Sequence, residues 1–139
     1  MMKLNKAPIH AHHIGSHFTS AMFPVASLLL TIFAITGDSS LESAAFYCQI
    51  FGLAAIPLTY ISGAYDWKTR FSGRRTRIFD HKLVFGVIFL VIATGLVIAR
   101  IYWPMIMFEP GMAKWAYLLF LYAATGTAVY LGHLGSKFI

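Results

Sequence analysis

Charge is scarce in this sequence. Asp and Glu together number 5 and Lys plus Arg 11 among 139 residues, a charged share of 12%, about half that of a typical soluble domain. Acidic side chains are too few to cover a water-exposed surface, while hydrophobic residues make up 58% of the chain. A soluble fold of this length could bury a core but could not hide so much apolar surface. Cysteine is scarcer still. The single Cys48 excludes an internal disulfide and any multi-thiolate zinc or iron–sulfur site, and it reads as a small buried hydrophobe. There is no internal repeat, low-complexity tract or separate soluble domain. A cleavable leader is not expected either, because the first apolar run is too long and lacks a small-residue cleavage site.

What is present is length and hydropathy suited to a bilayer. Mean hydropathy is +0.69, and four apolar stretches, Phe18 to Gly37, Ala44 to Tyr65, Leu83 to Trp103 and Ala113 to Gly132, match the roughly 20 residues a spanning helix needs. Arg100 and Lys114 are the basic residues within them. Both lie near an end, where a long side chain can snorkel to the headgroups. The expected fold is an all-α integral membrane protein over residues 1–139, four transmembrane helices in an up-down-up-down bundle joined by short connections. Pro24 and Pro57 fall inside spans and are expected to kink them. Asp38 or Ser40 is the expected cap of the second helix. The segment DWKTRFSGRRTRIFD reads as a long cationic loop, and PMIMFEPG as a turn.

The charges orient the bundle. Lys3, Lys6, Lys68, Arg70, Arg74, Arg75, Arg77, Lys82 and Lys137 fall on the side of the termini, against Arg100 and Lys114 on the other. The positive-inside rule then puts both termini in the cytoplasm of a bacterial inner membrane. Nucleic-acid binding is a poor explanation for the pI of about 9.7.

With that topology all six histidines share one end. HAHHIGSH holds His10, His12, His13 and His17; His81 opens the third helix and His133 closes the fourth. His10 and His12 read as solvated interfacial residues. His17 and His81 form a diagonal pair on helices one and three, across about 12–14 Å for axes about 8–10 Å apart between neighbours. Two imidazoles reaching inward over that span leave room for one iron, the geometry of a haem held edge-on. Ser16 and Asp80, as expected N-caps, would put both histidines at first helical positions, where the dipole favours the neutral, metal-binding ring. If helix one starts earlier, His10, His13 and His17 share a face. His13 and His133 are candidates for a second haem or alternative ligands. Asp66 would orient a ligand imidazole or serve proton transfer at a quinone site. Arg70, Arg74, Arg75 and Arg77 could pair with haem propionates. Space for a macrocycle is expected along Val84, Phe85, Ile88 and Gly95 of helix three, Val129, Gly126 and Tyr122 of helix four, and Gly63, Thr59 and Gly52 of helix two. Small residues are equally ordinary packing devices between membrane helices.

His12, His17-Phe18, the element GAYDW from Gly63 to Trp67, and His81 together resemble a bacterial four-helix membrane family catalogued as domain of unknown function 2231. In that family the first helix opens with a His-Pro-x-x-x-His-Phe-Pro pattern; here His13 and Thr19 stand where prolines are expected. Some members are joined to Rieske-type or cytochrome c domains, so the resemblance implies redox work.

The expected function is therefore a small b-type cytochrome subunit holding one haem b, with a second as an option. It would pass electrons between a partner redox subunit and a membrane quinone or a haem relay. The partner would dock on the cytoplasmic loop or the N-terminal arm, and this chain would not be an enzyme alone. The alternatives are a non-haem metal site or proton pathway built from His17, Asp66, His81 and His133, or a structural anchor of a larger complex. Against transport, no ionisable residue lies near the middle of a span.

Overall fold

The computed structural model describes the backbone of residues 7–137 and the side chains of residues 12–137. Lys3, Lys6 and the side chain of His10 lie outside the described residues. Four helices account for nearly all of it: α1 (Ala7–Thr36), α2 (Ser39–Arg70), α3 (Arg77–Tyr102) and α4 (Met112–Ser136). All four are long and apolar enough to cross a membrane.

The helices outrun the apolar stretches that predicted them. Hydropathy marks where lipid is, whereas the helix continues wherever the backbone can keep its own hydrogen bonds. HAHHIGSH has no residue that forces a break, so it lies within α1. Ser16 is therefore not an N-cap; its hydroxyl donates to the His13 carbonyl at 3.0 Å. α3 likewise begins at Arg77, with Thr76 as the cap accepting from Phe79 N–H, and Asp80 falls in its first turn. The expected long cationic loop shrinks to residues 71–76.

Each connection has a local cause. Gly37 takes φ +73° and donates its N–H to Phe33 O at 2.8 Å, ending α1. Asp38 follows at once and caps α2 by accepting from Ser40 N–H at 2.9 Å. Between α2 and α3 the chain reverses through Ser72 and Gly73, both at positive φ. There the Trp67 indole donates to Arg74 O at 2.8 Å and stacks on Phe79 at 4.7 Å. Between α3 and α4 the Trp103 indole donates to Glu109 at 3.0 Å, while Ile106 and Met107 are buried beneath.

The contacts give an antiparallel ring in the order α1, α2, α3, α4. Gly15 meets Thr59 and Gly52 meets Phe23 along the α1–α2 seam. Ser27 bonds Thr125 at 2.6 Å, and Thr31 bonds Tyr122, along α1–α4. Phe85 packs edge-on to Tyr130 between α3 and α4. The α2–α3 seam is the thinnest of the four. Across the diagonal, Phe23 and Phe89 meet edge to face at 4.8 Å, and Leu30, Ala93, Leu121, Ala124 and Ala128 continue the core. Alanines and glycines at these positions let backbones approach where lipid gives no hydrophobic drive between helices.

Opposite the histidines, Arg100 of α3 donates to both oxygens of Glu42 on α2, at 2.5 and 3.0 Å. Glu42 is 2% exposed, and the guanidinium also lies 5.0 Å from the Phe46 ring centre. The expectation that Arg100 snorkels to the headgroups is thus corrected: a buried carboxylate one helix away holds it inside. Next to this pair Tyr117 donates to Gln49 at 2.8 Å, both buried.

Candidate functional site

The histidine-bearing end is the candidate site, and its side chains divide into an outward and an inward set. His13, His17, His81 and His133 are exposed. His13 and His17, one turn apart on α1, stack with ring centres 6.4 Å apart. His81 hydrogen-bonds the Tyr130 hydroxyl of α4 at 3.3 Å. The early start of α1 places His13 and His17 together, whereas His17 and His81 do not converge on the bundle interior. Between their helices Phe23 and Phe89 already fill the diagonal. A haem clasped edge-on inside a single bundle by that pair does not fit these residues.

The expected macrocycle faces are turned the same way. Among the described residues nothing comes within 4 Å of where a Cβ would stand at Gly95 or Gly126, and Val84, Ile88, Val129 and Tyr122 are exposed. The face of Gly63, Thr59 and Gly52 does allow close approach, but its occupant is α1: a Cβ at Gly52 would come within 2.8 Å of the Phe23 ring, and one at Gly63 within 3.1 Å of the His12 ring. Arg70, Arg74, Arg75 and Arg77 are exposed, with Arg75 3.9 Å from Asp80. Cys48 is half-buried and in no disulfide. Among the described residues no three His, Cys, Asp or Glu side chains gather as a group able to hold a metal ion.

The inward residue is His12, which the sequence reading left in solvent. Its Nδ1–H donates to Thr59 O at 3.2 Å and lies 3.3 Å from Ser62 Oγ, so the ring is pinned in the α1–α2 seam over Gly63. A carbonyl can only accept, so Nδ1 carries the proton and Nε2 is the acceptor of the neutral ring. Asp66 stands half-buried near the end of α2, one turn beyond Ser62. Deeper in, Thr19 Oγ1 and Tyr60 Oη are buried without a hydrogen-bond partner among the described residues. A signal for His12 existed. Positions 12, 19, 23, 26, 30 and 33 recur at helical spacing on one face, and all but the first are apolar or small. The stripe is legible only once the helix is allowed to begin before the apolar run does.

A family model described as predicted membrane protein (DUF2231) matches residues 6–139. No curated protein and no solved structure matches the chain.

Proposed function

The chain belongs to the DUF2231 family of membrane proteins, and from its own residues we propose that it is a multi-pass subunit of a bacterial inner-membrane redox complex, without catalysis of its own. The observation that carries this reading is the exposed His13–His17 ring pair, with exposed His81 and His133 on the same end of the bundle. Imidazoles that intrachain packing does not consume are available to a ligand or a neighbouring subunit.

That end faces the cytoplasm in this reading, because Lys68, Arg70, Arg74, Arg75, Arg77 and Lys137 cluster there. A partner docks on the same end. Haem b, one or two per chain, would be held where this end meets the partner, by His17 or the neighbouring exposed histidines together with groups of that partner. It would supply electron-transfer chemistry between the partner and a quinone or a haem relay.

The test is a dithionite-reduced minus oxidised spectrum, with haem extraction and total metals, on the complex isolated in mild detergent and on the chain alone. A b-type signal in the complex that disappears in His17→Ala supports the proposal. A complex without haem but with stoichiometric zinc, iron or copper replaces haem by a metal ion. A complex with neither leaves a structural anchor.

A further inference from the structure

Positive charge concentrates where α2 turns into α3. Lys68 and Arg70 end α2, Arg74 and Arg75 stand in the connection, and Arg77 opens α3; Asp66 and Asp80 are the acids of that stretch. All five cations are exposed. Among the described residues the ion pair they form is that of Arg75 with Asp80, at 3.9 Å and with both side chains open to solvent. Such a pair offsets little of the charge.

The turn that carries these cations is fastened from within. The Trp67 indole donates to Arg74 O and stacks on Phe79. Gly73 N–H donates to Trp67 O at 3.1 Å. The cations are therefore presented from a fixed reversal, at the level of a tryptophan of the kind that sits among lipid headgroups.

The helix faces beneath them are bare. On α2, Tyr65, Ile61 and Leu58 follow Lys68 at steps of three and four; on α3, Val84 lies two turns from Arg77, and Val87 and Val91 continue its face. All six of these side chains are more than half exposed, on helices long and apolar enough to span a membrane. Each helix thus has a cation at its basic end and an uncovered apolar stripe running from it into the hydrocarbon.

We propose that this turn binds an anionic diacyl phospholipid, with its phosphate among the arginines and its acyl chains along the exposed stripes of α2 and α3. Guanidinium groups match phosphate oxygens with paired N–H donors. A choline head brings its own positive charge to the same arginines, so the cations select a head with net negative charge. The stripes call for acyl chains, which a soluble polyanion lacks. The inference goes beyond the redox reading: it uses no histidine and needs neither haem nor a partner subunit.

The full chain, purified in non-ionic detergent and stripped of lipid, is titrated with phosphatidylglycerol and with phosphatidylcholine of identical acyl chains. Bound lipid is counted by native mass spectrometry. Phosphatidylglycerol should bind at least about 10-fold more tightly, as expected where several cations act on one anionic head, and added salt should weaken it. Arg74→Gln/Arg75→Gln/Arg77→Gln should bring the two lipids to within about 2-fold of each other, whereas Arg74→Lys/Arg75→Lys/Arg77→Lys should keep most of the preference. Lys114→Gln, at the far end, should bind like the parent. Thermal unfolding of the triple glutamine variant without added lipid should match the parent, which separates lost binding from lost folding. Equal binding of the two lipids by the parent overturns the proposal, as does an undiminished preference in the triple glutamine variant. Full displacement of phosphatidylglycerol by an equal concentration of its deacylated head, glycerophosphoglycerol, also overturns it, assigning the turn to a soluble anion.

Discussion

Arg100 and Glu42 form a two-pronged ion pair between α3 and α2, inside the bundle and at the end remote from the histidines. It bridges the seam where the two helices otherwise touch least. A charge pair removed from water is costly to halve, because the survivor is left buried and alone. Glu42→Gln or Arg100→Met should therefore each destabilise the protein by about 3–5 kcal/mol. The Glu42→Leu/Arg100→Leu double variant should recover most of that loss. Unfolding of the detergent-purified variants checks it, and additive losses in the double variant would contradict a coupled pair.

The glycines divide by what surrounds them. Gly52→Ala pushes a methyl into the Phe23 ring, which Phe89 holds from the other side, and should cost about 1–3 kcal/mol. Gly95→Ala and Gly126→Ala meet open space and should be neutral or stabilise by up to about 1 kcal/mol, as expected for glycine replaced in a helix interior. Melting of the three variants side by side tests whether the Gly95 and Gly126 faces look outward. A collapse of either outward variant would mean that something packs on that face.

The two ends of the site should respond differently to loss of a histidine. His12→Ala removes the ring wedged between α1 and α2 and leaves a gap over Gly63 and Thr59, so it should lower the melting temperature. His81→Ala forfeits a single exposed bond to Tyr130 and should change it by the equivalent of less than about 1 kcal/mol. Equal melting of the two variants would remove His12 from the packed seam.

Asp38 gives the pH dependence its sign. The Ser40 hydroxyl and backbone N–H both donate to its carboxylate and hold its pKa below the ordinary aspartate value. The native state thus binds its proton less readily than the unfolded chain. The cap's contribution is complete above the ordinary aspartate pKa and fades as pH falls through the lower folded value. An acid titration of stability should be flatter in Asp38→Ala than in the parent, by an amount fitting a fully exposed group.

The number and rough spans of the helices were legible because they depend on composition and length alone. The histidines were not placed correctly by the same route. Treating Phe18 as the start of α1 made His17 a terminal residue free to aim inward, whereas a helix running from Ala7 rotates His17 outward and His12 in. The partnership of Glu42 and Arg100 was hidden for a different reason. They stand 58 positions apart, and each alone reads as an ordinary interfacial charge; only the antiparallel register of α2 and α3 makes them neighbours. Asp38 was the easier case, since an aspartate directly after a glycine and before a polar helix start is a local signal.

The Phe23–Phe89 contact also acts as an insulator. On one side of it lie His12, Thr19 and Tyr60, on the other Gln49, Tyr117, Glu42 and Arg100. Beyond it, along the α1–α4 seam, the hydroxyls of Ser27 and Thr125 are paired, as are those of Thr31 and Tyr122. A proton entering among the histidines finds an aromatic wall in place of its next carrier. Vesicles loaded with this protein should hold an imposed pH gradient as well as empty ones.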